Sequence, residues 1–124
     1  MIDHVSVPVR DLAVAMRFYD AVLATIGYER LETRDKTAGW GKKYPDFWVN
    51  LRGTANVSDG AHVCFRARTT DIVDGFHAAA LKAGGQSDGA PGLRPKHGEG
   101  YYATFIRDLD GNRIEAVTFT ETPR

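Results

Sequence analysis

Two stretches decide how this chain folds: HVSVPVRDLAVAMRFYDAVLATIG at residues 4–27 and HVCFRARTTDIVDGFHAAALKAGG at residues 62–85. His4, Phe18 and Gly27 recur as His62, Phe76 and Gly85, all at one offset of 58 residues. A shared offset over three landmark residues is the signature of an internal duplication. In the first copy Val5, Val7 and Val9 alternate with His4, Ser6 and Pro8, the period of a half-buried strand. Asp11 then reads as a helix N-cap. Leu12, Ala15, Met16, Tyr19, Val22, Leu23 and Ile26 follow at spacings of three and four, with Gly27 as the stop.

The second copy repeats the plan. Val63, Phe65 and Ala67 alternate with His62, Cys64 and Arg66, and Thr70 or Asp71 is the expected cap of a helix ending at Gly84-Gly85. Its inward stripe reads as Ile72, Phe76, Ala79, Ala80 and Ala83. Each strand-helix pair is followed by strand-like sequence. From Tyr28 to Leu51 the breaks fall at Gly39, Gly41 and Pro45, and 56–60 is a polar turn. Residues 101–107 and 113–120 form a hairpin around Asp110-Gly111, whereas 86–100, rich in Gly and Pro, reads as a loop or lid with room for a short strand.

The reading is therefore one α+β domain over 1–124, built from two βαβββ modules at about 1–56 and 60–120. Each helix covers one face of its sheet. Two such sheets set edge to edge give a curved mixed sheet around a cavity, helices outside.

Composition removes several classes of function. Lys and Arg number 16 and so do Asp and Glu, so no net charge favours nucleic acid or an anionic membrane as partner. There is no run of 18 apolar residues to span a bilayer. A single cysteine, Cys64, and an opening MIDHVSV without a basic and apolar leader point to a reducing, cytoplasmic location. The Asp108-x-Asp110-Gly111 run fails as a calcium loop because its glycine comes at the fourth position.

His4 and His62 hold equivalent positions opposite the valines, so both are expected on the face that the helices leave uncovered. Glu115, in a strand with Ile114, Ala116 and Val117, is an acid too costly to bury without compensation. Two imidazoles and a carboxylate suit one divalent metal ion, Fe, Mn, Ni, Co or Zn, with positions left open for water or substrate. Arg94 and His97 in the 86–100 segment are candidates for holding an anionic substrate group. Tyr101 and Tyr102 alternate, so only one can face the cavity. His77 reads as a surface histidine, Trp40 and Trp48 as packing aromatics or dimer contacts, and Cys64 as a packed thiol. Arg66 is expected at the rim or beside Glu115.

Three segments, IDHVSVPVRDLAVAMRFYDAVLATIGY at 2–28, GAHVCFRA at 60–67 and YYATFIRDLDGNRIEAV at 101–117, resemble the vicinal oxygen chelate superfamily. That superfamily includes glyoxalase I, fosfomycin resistance enzymes, bleomycin resistance proteins and extradiol dioxygenases. The resemblance implies paired βαβββ modules, metal ligands at His4, His62 and Glu115, and a homodimer whose sites in some members combine two chains. It implies a metal-dependent lyase or isomerase acting on a small oxygenated substrate. The alternatives are an extradiol-type dioxygenase and a small-molecule binding protein without turnover. Aligning DFWVNLR with NRIEAVT sets Val49 opposite Glu115, where glyoxalase I carries a fourth ligand, and Phe105 stands where the fosfomycin enzymes carry a tyrosine.

Overall fold

A computed structural model describes residues 1–53, 57 and 60–120. Its elements run β1 (Val5–Val9), α1 (Leu12–Ala24), β2 (Glu29–Thr33), β3 (Thr37–Gly41) and β4 (Phe47–Leu51), then β5 (His62–Arg66), α2 (Thr70–Lys82), β6 (Gln86–Leu93), a short 3-10 turn (Pro95–His97), β7 (Tyr101–Arg107) and β8 (Arg113–Phe119). The α+β architecture and the duplicated βαβββ plan are those read from the sequence. The polar turn at 56–60 lies largely outside the described residues.

Each half makes a mixed four-stranded sheet, ordered β1-β4-β3-β2 and β5-β8-β7-β6. The outer pair is parallel and the remaining ladders are antiparallel. Among the described residues no ladder joins the sheets, so β1 and β5 are both edge strands. The side chain of Asp11 caps α1 by accepting from the Val14 amide at 3.0 Å, and Ala15, Phe18, Tyr19, Val22 and Leu23 are buried.

Three expectations need correction. The α2 cap is Thr69, one residue before the expected pair, accepting from Ile72 N at 3.2 Å. Three adjacent cap-forming side chains, Thr69, Thr70 and Asp71, make that start ambiguous in sequence. The buried stripe of α2 is Val73, Phe76 and Ala80, rotated from the expected one, with Ile72 only partly covered. Finally, 86–93 is a full strand. It is an edge strand with two register shifts that accommodate Gly89, Pro91 and Gly92.

One hydrophobic cluster runs through both halves. Tyr19 and Trp40 from the first and Phe65 and Phe76 from the second meet around Phe47 in edge-on and tilted ring contacts 5.0–6.2 Å apart. At Gly85 the halves approach so closely that an added Cβ would lie 2.9 Å from Phe18 and 3.0 Å from the Arg107 carbonyl oxygen. No helix among the described residues is long and apolar enough to cross a membrane.

Candidate functional site

The helices cover one face of each sheet, and the strand register assigns side chains to the other. In the second sheet His62 lies opposite Arg113, Cys64 opposite Glu115, Phe105 opposite Glu115 and Tyr101 opposite Phe119. Directly opposed residues share a face, so these side chains line the uncovered side. Ile114 and Ala116, in between, join the core beneath α2.

Glu115 is the focus of that face. Its side chain keeps only 3% of its exposure, while that of His62 keeps 52%. The carboxylate meets the cost of burial with two partners: His62 Nε2 lies 3.2 Å from Oε1, and the Tyr101 hydroxyl donates to Oε2 at 2.5 Å. Burial and Glu115 together push the Tyr101 phenol far up, so it remains a protonated donor at physiological pH. Burial, then the neighbouring Glu115, pushes the Cys64 thiol up to about 12. Cys64 is therefore a protonated thiol at neutral pH, partly covered on the uncovered face of β5.

The segment 94–101 folds over this face. The Arg94 guanidinium lies 5.5 Å from the Phe105 ring centre and donates to the Ala90 carbonyl. The His97 ring rests 5.2 Å from Tyr101 and 6.2 Å from Phe105. Arg94, His97 and Tyr101 thus gather with Phe105 around Glu115. Tyr102 does not join them. It points to the helix side, where its hydroxyl donates to Asp74 of α2 at 2.6 Å.

His4 is also apart. It precedes β1, its side chain is 57% exposed, and Nδ1 lies 2.7 Å from Asp3 Oδ1. Among the described residues, no three His, Cys, Asp or Glu side chains of one chain come close enough to hold a metal ion. The structure brings His62 and Glu115 together, and His4 lies on the first half. Asp3 also accepts from the Tyr44 hydroxyl at 2.9 Å, and its bonds to His4 and Tyr44 hold its carboxyl below the usual range. An ionised carboxylate only accepts, so Nδ1 of His4 is the donor in this contact.

The register also corrects the comparison of the fourth and eighth strands. Ser6 lies opposite Trp48 as Cys64 lies opposite Glu115, and Ser6 and Cys64 are one repeat apart. Trp48, not Val49, therefore holds the position of Glu115. Val49 is fully buried in the core. A one-residue slip in alignment exchanges the two faces of a strand, which is why the sequence comparison selected the wrong one. The Trp48 indole lies on the uncovered face, with Gly39 beneath it and the Arg34 guanidinium 4.9 Å from its ring centre. A Cβ at Gly39 would sit 2.8 Å from the ring, so the flat seat requires glycine. Arg66, expected at the rim, stacks 4.6 Å from the Phe119 ring centre.

Comparison with known proteins matches this architecture. The family model of the glyoxalase/bleomycin resistance protein/dioxygenase superfamily matches residues 1–116. A solved glyoxalase/bleomycin resistance protein from Albidiferax ferrireducens is similar, with 32% identity over 93% of this chain and 95% of its own, and a TM-score of 0.82. The fosfomycin resistance protein FosX of Listeria monocytogenes shares the fold at 14% identity, 97% and 93% coverage, and a TM-score of 0.74. A Burkholderia phytofirmans protein of the same superfamily has 18% identity, 94% and 96% coverage, and a TM-score of 0.74. No curated protein matches the chain.

Proposed function

The chain belongs to the glyoxalase/bleomycin resistance protein/dioxygenase superfamily, and on that premise we propose a metal-dependent enzyme whose divalent ion is held by His62, Glu115 and a His4 supplied by a second copy. The observation that carries this reading is the 3.2 Å between His62 Nε2 and Glu115 Oε1. Two donors each about 2.1 Å from one ion, at angles of about 90–109°, lie about 3.0–3.4 Å apart. The pair already has the edge length of a coordination shell, on a carboxylate that burial makes costly to leave uncompensated. The third ligand fits by chemistry as well. His4, with its side chain 57% exposed, immediately precedes the edge strand β1, and His62 opens another edge strand, β5. A homodimer that sets β1 of one copy beside β5 of the other supplies the missing imidazole.

When bound, such an ion supplies Lewis acidity to adjacent oxygens of a small substrate, the chemistry of a lyase or isomerase that stabilises a developing oxyanion. The chain's own residues do the rest. The Tyr101 hydroxyl fixes the orientation of Glu115 by donating to Oε2. Phe105 gives the pocket an apolar wall, and Arg94 and His97 sit above it, where they hold an anionic or oxygen-rich group of the substrate and exclude water. Glu115 serves as ligand and needs no proton to do so. With one unpaired cysteine in the chain, a reducing, cytoplasmic setting suits this protein.

A second reading has its own support: both Glu115 oxygens already have partners within one chain, the state expected of a pocket that binds a small molecule without turnover. Equilibrium dialysis with Ni(II), Co(II), Mn(II) and Zn(II) separates the two. The enzyme reading predicts saturable uptake that Glu115→Gln and His62→Ala each weaken by at least about tenfold, the loss typical for removing a ligand or its direct support. Absence of uptake of every ion, with an unchanged melting temperature, leaves only the binding protein.

A further inference from the structure

We propose that a cleft between the two halves, whose walls do not include Glu115, binds the anionic group, carboxylate or phosphate, of a small organic molecule. The cleft has a volume of about 490 Å³ and is lined by Tyr28, Lys42, Lys43, Tyr44, Asp46 and Arg66. Three cations therefore face one acid. Among the described residues, none of the three makes an ion pair with a carboxylate. In a chain with equal numbers of acidic and basic residues, three such cations around one hollow form a local field that attracts anions.

The geometry gives the field a fixed anchor. Stacking on Phe119 holds the Arg66 guanidinium in place, which lowers the entropy lost when its N–H groups grip an oxyanion. The acid in the wall already has a partner, because Asp46 Oδ2 accepts from the Tyr28 hydroxyl at 3.1 Å. Tyr28, with its phenol pushed up to about 12 by burial and then by Asp46, stays neutral and adds no charge of its own.

The rest of the ligand has somewhere to go. Tyr28 and Asp46 also line a second hollow of about 330 Å³ that continues to His62 and Cys64. An elongated molecule with its anionic end among Lys42, Lys43 and Arg66 would lay its body past Tyr28 toward the uncovered face of β5. Together the two hollows fall in the size range of small-molecule sites. All the anchoring residues belong to one chain, so the proposal stands whether or not a metal is bound.

The test is an amide-resolved NMR titration of the full chain in chelator, at constant ionic strength, with inorganic phosphate and separately with succinate. Expected are saturable shifts centred on Lys42, Lys43 and Arg66 with at least one probe. Lys43→Ala and Arg66→Ala should each weaken binding by about threefold, and Lys43→Glu by more, as the loss or reversal of a partly exposed charge predicts. Lys82→Ala, which removes an exposed cation at the end of α2, should leave it unchanged, and the chelator keeps this result separate from the metal question. No saturable shift with either probe up to about 50 mM, shifts insensitive to the Lys43 and Arg66 replacements, or binding lost in Lys82→Ala would each overturn the proposal.

Discussion

The Tyr19 hydroxyl in the first half donates to Asp108 Oδ2 in the second at 2.5 Å, both groups being buried. The same carboxylate accepts from the Asn112 side chain on Oδ2 and from the Asp110 and Asn112 amides on Oδ1. Asn112 also donates to the Pro8 carbonyl, and Asp110 accepts from the Arg10 amide. The β7–β8 turn is thus a clasp that ties the strand carrying Glu115 to α1 and to the end of β1.

Tyr19→Phe removes one donor from that buried carboxylate and keeps the ring packing. A loss of about 1–3 kcal/mol in urea unfolding is expected, the cost of leaving a buried acceptor short of a donor. An unchanged midpoint would mean that the clasp contributes nothing.

Burial is the largest influence on Asp108 and raises its carboxyl above the ordinary 3.8, against the opposing bonds from Tyr19 and Asn112. The folded chain then holds this proton more tightly than the unfolded one. Its stabilising contribution is full below the unfolded value and is lost as pH rises through the folded one. The stability of wild type minus that of Asp108→Asn should therefore fall as pH climbs from about 3.5 toward neutrality. A difference that stays flat or rises over that window contradicts the assignment.

The phenol of Tyr28 gives an alkaline counterpart. Burial first and Asp46 second push it from 10.0 up to about 12. The stability it lends is full below pH 10 and fades as pH rises through about 12. The phenolate absorbance difference between wild type and Tyr28→Phe should have its midpoint near 12, and Asp46→Asn should move it down. A midpoint at the ordinary value would show that Tyr28 is solvated.

Gly39→Ala places a methyl where the Trp48 ring now lies, 2.8 Å from its atoms. The ring must lift from the sheet. A loss of about 1–3 kcal/mol is expected, with a red shift of the half-buried Trp48 emission, since Trp40 is fully buried and should not respond. An unshifted spectrum and unchanged stability would mean the indole does not rest on that glycine.

Much of this was legible in the residues themselves. The offset linking His4, Phe18 and Gly27 to His62, Phe76 and Gly85 carried the duplication, because a repeated unit repeats its strand period, cap and stop together. Strand β6 stayed hidden because QSDGAPGL has no apolar alternation; its pairing with β7 comes from tertiary context, and its bulges absorb the glycines and proline. Glu115 stood out as an acid among apolar neighbours, and its His62 partner followed from the shared face. That Tyr101 faces Glu115 while Tyr102 faces Asp74 required the register, which periodicity leaves open by one residue. Val49 was set opposite Glu115 for the same reason. The place of His4 depends on how two halves, or two copies, meet, and pattern within one strand carries no information on that.

The shared site is tested most directly by mixing two variants, His4→Ala and Glu115→Gln, each purified alone, and measuring Co(II) uptake before and after subunits exchange. Alone, each should bind metal poorly. After random exchange, half the dimers pair one of each; one of their two sites is then intact, so the mixture should recover about a quarter of the wild-type sites, as two-fold symmetry requires. Uptake by either variant at wild-type level, or a mixture that binds no more than the average of its parts, would contradict the account.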